Sequence, residues 1–183
     1  MVAATGSETD RLAVAPRIAG TDACASGMRR DQDSFSTCEQ PSHAFYAAAM
    51  LQLRTRHGMI EIRLPDDAAL ARRVEAAARA CLRGRAPDAD LPLPSGTPFQ
   101  RACWRAARAI PRGQTRTYAW LAQRAGSPKA VRAAAQAMRR NPWPLVIPCH
   151  RVVGVRDIGG YAGSRDPASA QISIKNWLLA REA

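Results

Sequence analysis

Apolar and polar residues alternate in two short stretches, separated by a turn signal. Leu51 and Leu53 alternate with polar neighbours, and apolar residues return at every second position over 60–64. A period of two places successive side chains on opposite faces of a strand. The pattern therefore predicts a β-hairpin that turns at residues 56–58, with His57 as an exposed turn residue rather than a ligand.

The apolar period lengthens after this hairpin. Asp66 or Asp67 can accept a backbone hydrogen bond at the start of a helix that ends at Gly84. Its predicted inner face consists of Leu70, Val74, Ala77 and Cys81. The segment 85–95 has three prolines and is predicted to be a linker.

A second helix is predicted to begin at Thr97-Pro98, with threonine as the N-cap and proline in the first helical position. Residues with helical spacing form its apolar stripe: Phe99, Cys103, Ala106 and Ile110. The arginines between them are expected to point outward: Arg101, Arg105 and Arg108. Cys103 is therefore expected to be a core thiol.

Two further helices follow, separated by a glycine. The first spans about 118–125 with Thr117 as N-cap, and Gly126 can end it in the left-handed conformation. Ser127-Pro128 is expected to start the second helix, which runs to about Arg140, with a core face of Val131, Ala134, Ala135 and Met138. This arrangement is typical of a helix-turn-helix. An ordinary helical hairpin with a solvated arginine face is the alternative.

The elements together predict an α/β (α+β) fold. Residues 1–43 lack periodicity and are expected to be a mostly disordered leader. Residues 44–95 would form a small α/β domain of hairpin and helix plus the linker. Residues 96–183 would form a mainly helical, winged-helix-like domain that contains the helix-turn-helix.

Charge and cysteine content restrict the classes of function that are open to this chain. The formal net charge is +12, from 27 Lys+Arg against 15 Asp+Glu, which favours a polyanionic partner. Arginine enrichment through coding bias would give the same excess, so charge indicates nucleic acid only weakly. The five cysteines are scattered without C-x-x-C spacing, which argues against a compact zinc site and a disulfide framework. With no secretory signal and no membrane-spanning run, a soluble, cytoplasmic protein is expected.

One segment, Ile147-Pro148-Cys149-His150-Arg151-Val152-Val153, combines a thiol and an imidazole between apolar runs. An imidazole near a cysteine can promote the thiolate that reacts. Adjacent side chains in an extended chain point to opposite faces, so His150 would act on Cys149 through a water or after a bend. A buried structural cysteine is the competing interpretation.

Residues on both sides of this segment extend the motif. Pro-Cys-His-Arg-Val, preceded by Asn141-Pro142 and followed by Gly159-Gly160-Tyr161, resembles the active-site region of the O⁶-alkylguanine-DNA alkyltransferases. The resemblance runs from about residue 97 to 182 and is weak over 50–95, where the hairpin and helix look like a shortened amino-terminal domain of that family.

The resemblance implies a stoichiometric methylated-DNA–protein-cysteine methyltransferase without a cofactor or metal. Cys149 would accept the alkyl group from O⁶-alkylguanine, and from O⁴-alkylthymine. His150 would take the thiol proton through water, Glu182 would orient the imidazole, and Tyr118 would donate a proton to the leaving base.

The same resemblance implies how DNA is bound. Arg132 would enter the duplex from the minor groove in place of a flipped nucleotide, helped by a helix surface that also carries Ala133, Gln136, Arg139 and Arg140. Pocket and support residues would be Met138, Asn141, Val152 and Tyr161. Asn141 matches the family's asparagine that bridges the helix-turn-helix to the active-site turn. A helix C-cap before Pro142 is its alternative role, and the two roles are compatible. The implied partner is double-stranded DNA with alkylated guanine, bound by a monomer.

The chain also departs from the family pattern. The connection 164–171 is longer than usual before a final helix expected at 174–181, with Lys175 at the family's lysine. Because the longer connection borders the predicted pocket, it would change which alkyl groups the pocket accepts and where Glu182 lies along the final helix. The main alternative function is a recognition module that binds alkylated DNA without reacting. A regulatory alkyl sensor would usually carry a cysteine-rich metal domain, and a cysteine hydrolase would need an oxyanion site that the sequence does not locate.

Overall fold

The computed structural model describes residues 49–87 and 90–183. The predicted leader, with Cys24 and Cys38, lies outside these residues. Within them, five α-helices, one 3₁₀ turn and four short strands follow in the order β1 (Met50–Thr55), β2 (Gly58–Arg63), α1 (Ala68–Leu82), α2 (Pro98–Arg108), β3 (Arg116–Thr117), α3 (Tyr118–Arg124), α4 (Val131–Arg139), the 3₁₀ turn (Cys149–Arg151), β4 (Val152–Val153) and α5 (Ala170–Glu182). The mixed α and β composition confirms the predicted fold class.

The hairpin forms as predicted. β1 pairs antiparallel with β2, and Leu53 lies opposite Ile60. The alternating apolar residues of both strands are buried: Leu51, Leu53, Ile60 and Ile62. His57 is only half-buried in the turn rather than exposed. The reason is helix α5, because the His57 Nδ1 lies 3.1 Å from the Ser173 hydroxyl and the ring packs 5.6 Å from that of Trp177.

Helix α1 starts where the sequence indicated, since the Asp67 carboxylate accepts the Leu70 N–H at 2.6 Å. Its buried face is rotated from the predicted stripe and comprises Val74, Ala77, Ala78 and Leu82, while the predicted Leu70 and Cys81 are half-buried. The end of α1 is tied to α5, because the Arg181 guanidinium donates to the Leu82 carbonyl at 3.0 Å.

Helix α2 has the predicted cap, and the Thr97 hydroxyl and Gln100 side chain complete a reciprocal capping box. Cys103, Ala106 and Ile110 are buried as predicted, Phe99 is half-buried, and Trp104 is buried as well. The prediction that Arg108 points outward is wrong. Arg108 is half-buried because its guanidinium donates to the Leu91 carbonyl at 2.6 Å.

Helices α3 and α4 pack against each other and against α2. Thr117 caps α3 as expected, and Gly126 follows it with φ +81°. The start predicted for α4 is wrong, because Ser127 accepts the Ala130 N–H in a separate turn and the helix begins at Val131. Its buried residues are Ala134, Ala137 and Met138, whereas Val131 and Ala135 are half-buried. The helix-turn-helix geometry stays a prediction.

The hairpin is tied directly to the segment that precedes Cys149. The Arg63 N–H donates to the Pro142 carbonyl, and the Trp143 indole donates to the Arg63 carbonyl, both at 3.0 Å. One hydrophobic cluster extends from Leu51 to Leu178. The predicted domain division near residue 95 stays a prediction.

Residues 49–87 and 90–183 contain neither a membrane-spanning helix nor a cluster of metal ligands. No helix there has the length and apolar character that crossing a membrane requires. Over the same ranges, no group of three or more His, Cys, Asp or Glu side chains could hold a metal ion.

Candidate active site

The backbone turns at the cysteine. Cys149 opens the 3₁₀ turn and is 9% exposed, while the next residue, His150, is 2% exposed. The Asn141 amide holds this segment against the end of α4, since it donates to the Ile147 carbonyl at 2.9 Å and accepts the Trp143 N–H at 3.0 Å. Asn141 therefore joins the end of α4 to the cysteine turn.

Burial dominates the electrostatics of the thiol. It raises the pKa of Cys149 above its ordinary value, and the Asn141 amide and the positive charge of Lys175 oppose this rise. A buried thiol with these two neighbours is held mainly protonated but has groups ready to stabilise the thiolate.

Lys175 is fully buried on α5, behind the thiol. Its Nζ donates to the carbonyls of Val152, Ile158 and Gly160 at 2.7, 2.6 and 3.2 Å. Burial lowers the pKa of Lys175 to about 8, while the negative charges of Cys149 and Asp157 act in the opposite direction. Among the described residues, no carboxylate forms an ion pair with it. The thiolate of Cys149 is therefore a natural counter-charge for this lysine.

His150 is held on the other side by Glu182. The His150 Nε2 lies 3.0 Å from the Glu182 Oε1, and Arg151 grips the same carboxylate with Nε at 2.7 Å and Nη2 at 2.8 Å. The Arg151 Nη1 also donates to the Ile110 carbonyl at 2.7 Å, which fixes the guanidinium. Arg151 was not among the site residues predicted from the sequence.

This arrangement decides which imidazole nitrogen is available. The carboxylate of Glu182 accepts the Nε2–H, so the neutral ring carries its lone pair on Nδ1, which is buried without a protein partner. Burial lowers the pKa of His150, and the hydrogen bond and charge of Glu182 oppose that. For Glu182, burial acts to raise the pKa, but His150 and Arg151 together lower it to about 2. Glu182 is thus an anion that orients the imidazole.

Tyr118 faces the thiol across a cavity. Its hydroxyl donates to the Gly160 carbonyl at 3.4 Å. Burial, followed by the charge of Cys149, raises the pKa of Tyr118 to about 12, with Asp157 adding to the rise and Arg165 opposing it. The hydroxyl therefore stays protonated at neutral pH and can act as a proton donor.

The cavity has a volume of about 630 Å³ and opens to solvent. Its wall brings together predicted residues from α3, α4, the cysteine turn and the following loop: Tyr118, Arg132, Met138, Gln136, Arg139, Cys149 and Tyr161. The Tyr161 side chain is buried beside the thiol, and burial, followed by the charge of Cys149 and a side-chain hydrogen bond with it, raises the pKa of Tyr161 well above the ordinary value.

Other predicted residues lie outside the cavity wall. Ala133 and Arg140 are exposed on or beside α4, and Val152 is buried beneath the wall. His150 and Glu182 are not among the residues that line the cavity. The structure also adds two charged residues that sequence reasoning did not select, Asp157 and Arg165, and both line the cavity.

The connection after Tyr161 is shorter than the sequence indicated. Helix α5 begins at Ala170 rather than at 174, because the Ser169 hydroxyl accepts the Ile172 N–H and caps it four residues earlier. Arg165 and Pro167 from the remaining loop line the cavity. The loop between Tyr161 and α5 therefore forms part of the cavity wall.

Residues 98–183 match the protein family described as 6-O-methylguanine DNA methyltransferase, DNA binding domain. The constitutive methylated-DNA–protein-cysteine methyltransferase of Bacillus subtilis is 51% identical over 83 residues, which are 44% of this chain and 50% of that protein. The chain spans about half the length of the curated relatives it matches.

Two solved structures are similar in fold. Mycobacterium tuberculosis OGT in complex with DNA has a TM-score of 0.50 at 34% identity, covering 59% of this chain and 63% of that one. The O6-methylguanine methyltransferase of the same organism has a TM-score of 0.53 at 26% identity, covering 72% of this chain and 90% of that one. The second likeness extends beyond the matched domain.

Proposed function

Since residues 98–183 belong to the 6-O-methylguanine DNA methyltransferase family, we propose that this chain repairs DNA by moving the alkyl group of O⁶-alkylguanine to Cys149. The observation that carries the proposal is the position of the thiol. Cys149 lines a cavity shared with Tyr118, and a histidine ordered by an acid lies behind it. A nucleophile, a base and a proton donor are the three groups that such a transfer needs.

The first step is removal of the thiol proton. The His150 Nδ1 is the acceptor, since Nε2 is engaged with Glu182, and a bridging water completes the path from the sulfur. The imidazolium that forms is stabilised by the Glu182 carboxylate. Lys175 stabilises the thiolate from the opposite side.

The second step transfers the alkyl carbon. A lone pair of the thiolate forms the S–C bond as the C–O⁶ bond breaks, and the bonding electrons pass to the guanine. Tyr118 donates its hydroxyl proton to the departing base. A proton from solvent then restores the neutral tyrosine, and the His150 imidazolium releases to solvent the proton that it took from the thiol. The product is a thioether, which does not hydrolyse readily, so each chain reacts once and needs no cofactor.

The base must leave the helical stack before the sulfur can reach it. In the proposal α4 lies in the minor groove, where exposed small residues such as Ala133 allow close approach. Arg132 fills the space of the extruded nucleotide, and Gln136, Arg139 and Arg140 contact the neighbouring backbone. A monomer suffices for these contacts, and O⁴-alkylthymine fits the same chemistry. A cytoplasmic location is part of the proposal.

The test is intact mass after incubation with excess duplex containing O⁶-methylguanine, beside Cys149→Ser. We expect one gain of about 14 Da per chain that saturates and is absent in the variant, because a methyl group replaces a proton on one nucleophile. Lesion-dependent binding without a mass gain would instead identify a non-reactive recognition module. No gain and no lesion preference would reject both functions.

A further inference from the structure

The loop that follows Tyr161 places a cation on the wall of the reaction cavity. Arg165 lines the cavity together with Cys149 and Tyr118, and its charge acts on the Tyr118 hydroxyl. The proposed mechanism has no role for it. Arg165 belongs to the connection between Tyr161 and α5.

Two hydrogen-bonded turns fix the backbone on both sides of Arg165. Before it, the amide of Tyr161 donates to the Ser164 carbonyl and the amide of Ser164 donates back, both at 2.9 Å, with Ala162 at φ +46°. After it, Asp166 accepts the Ala168 N–H with its side chain and the Ser169 hydroxyl with its carbonyl. The starting point of the Arg165 side chain is therefore defined.

The side chain then runs along the cavity wall. A Cβ placed on Gly160 would lie 3.2 Å from the Arg165 Cγ, so the aliphatic part of the arginine packs directly over that glycine. Gly160 is also one of the residues whose carbonyl accepts from Tyr118 and Lys175. The Arg165 side chain therefore packs over the residue whose carbonyl both Tyr118 and Lys175 contact.

The guanidinium has no acid partner among the described residues. Asp166, its neighbour in sequence, uses a carboxylate oxygen for the Ala168 amide, and Asp157 across the cavity accepts the Gly159 amide. Within residues 49–87 and 90–183, no ion pair involves Arg165. The cavity wall as a whole carries three arginines, Arg132, Arg139 and Arg165, against one aspartate. A group that enters this space meets an excess of positive charge.

We propose that Arg165 forms a subsite for a carboxylate carried on the alkyl group of the damaged base, so that acidic adducts are transferred in preference to neutral adducts of equal size. This inference rests on the proposed transfer to Cys149. The sulfur must meet the carbon bonded to O⁶, so whatever extends beyond that carbon lies along the cavity wall. A guanidinium binds a carboxylate with two parallel charge-assisted hydrogen bonds.

The experiment compares three duplexes of one sequence, with O⁶-methylguanine, O⁶-carboxymethylguanine or O⁶-carbamoylmethylguanine. The last two adducts have nearly the same shape and differ in charge. Single-turnover rates of adduct formation on Cys149 are measured by mass for the unmodified chain, Arg165→Gln and Arg165→Lys. Arg156→Gln is the matched control, because Arg156 is an exposed arginine near the site that does not line the cavity.

We expect the unmodified chain to transfer carboxymethyl about tenfold faster than carbamoylmethyl, since charged hydrogen bonds are roughly twice as strong as neutral ones. Arg165→Gln should reduce that ratio to about one and leave methyl transfer within about twofold. Arg165→Lys should keep part of the preference, and Arg156→Gln all of it.

Three results would overturn the subsite. These are a ratio of one in the unmodified chain, a ratio unchanged by Arg165→Gln, or an equal slowing of all three substrates by that variant. The last would mean that Arg165 contacts a DNA phosphate, and repeating the comparison with the free modified bases, which lack phosphate, distinguishes the two anions. If the unmodified chain transfers no methyl group, the proposed function itself fails.

Discussion

Lys175 is a cation enclosed by backbone carbonyls, and in the proposed mechanism it stabilises the thiolate that Cys149 forms. Replacing it by glutamine removes the positive charge that opposes the burial-driven rise in the Cys149 pKa. We therefore expect Lys175→Gln to shift the pH profile of Cys149 alkylation by iodoacetamide to higher pH and to slow methyl transfer at pH 7 by at least about tenfold. Peptide mapping distinguishes Cys149 from the other thiols.

The matched control for this prediction is Lys129→Gln, which removes an exposed lysine outside the cavity wall. It should leave the alkylation profile unchanged. An identical Cys149 profile in Lys175→Gln and the unmodified chain would contradict the role given to Lys175. The lysine's own pKa of about 8 means that its help declines in the unmodified chain as pH rises through that value.

Glu182 makes stability depend on pH in a defined direction. Its pKa is about 2 in the folded chain and about 4.3 when unfolded, so the folded state favours the anion. The contribution is complete above the unfolded pKa and is lost as pH falls from there towards 2. We expect Glu182→Gln to lower the free energy of unfolding by about 1–3 kcal/mol at pH 7.

The measurement is urea unfolding of both proteins at several pH values, and the difference should shrink below about pH 4. An equal difference at pH 3 and pH 7 would show that the glutamine acts by disturbing packing. The variant should also slow methyl transfer, because the imidazole loses the anion that orients it.

At the scale of residues, the sequence motif pointed to Cys149 and His150 and the family resemblance added Glu182, but Arg151 was not predicted. Cys149 and His150 are adjacent, and their chemistry is visible in the motif. The grip of Arg151 on Glu182 joins residues 31 positions apart, and its bond to Ile110 spans 41. No local pattern encodes such contacts, because they depend on where α5 packs. The complete burial of Lys175 was invisible for the same reason.

At the scale of elements, two glycine turns provide a matched test of what holds α5 in place. Gly113 and Gly126 have φ of +76° and +81°. A Cβ at Gly126 would meet nothing within 4 Å, whereas at Gly113 it would lie 2.8 Å from the Glu182 carbonyl oxygen. Gly126→Ala should therefore lower stability by about 1–2 kcal/mol through backbone strain alone.

Gly113→Ala should cost more, because the end of α5 must move as well, and it should slow methyl transfer while Gly126→Ala leaves the transfer step unchanged. Thermal melts and single-turnover assays at saturating DNA separate the two effects. Equal behaviour of the two variants would mean that the contact between this turn and α5 does not position Glu182.

Element boundaries show the limits of local signals. Thr97, Thr117 and either Asp66 or Asp67 were predicted as caps, because each combines the right side chain with the start of an apolar period, and the structure uses Thr97, Thr117 and Asp67. Ser127-Pro128 has the same signature, yet the structure uses it for a turn and starts α4 at Val131. A capping residue permits a helix to begin, but packing of the preceding turn decides whether it does.

At the scale of the whole molecule, the hairpin and α5 share one core. Ile62 is completely buried in the strand that carries Arg63 to its bonds with Pro142 and Trp143. We expect Ile62→Ala to lower stability by about 2–5 kcal/mol and to keep one unfolding transition, measured by tryptophan fluorescence and far-ultraviolet circular dichroism together. Met59→Ala, on the exposed face of the same strand, should have little effect.

Separate transitions for the two probes would instead support independent folding of the segments predicted to divide near residue 95. The sequence indicated the hairpin, the helices and their order. It did not indicate that residues 49–64 pack against α5, because the His57–Ser173 contact spans 116 positions and has no local signature.

That long-range contact also has a consequence in time. Contacts between distant positions form late in folding, after local helices and turns. Until α5 docks, Lys175 and Glu182 are absent from the neighbourhood of Cys149, and the sulfur is an ordinary accessible thiol. During synthesis and refolding the thiol is therefore open to oxidants from every side, whereas in the folded chain it is 9% exposed and lies in the wall of the cavity. The time that α5 takes to pack therefore sets how long the Cys149 sulfur stays unprotected.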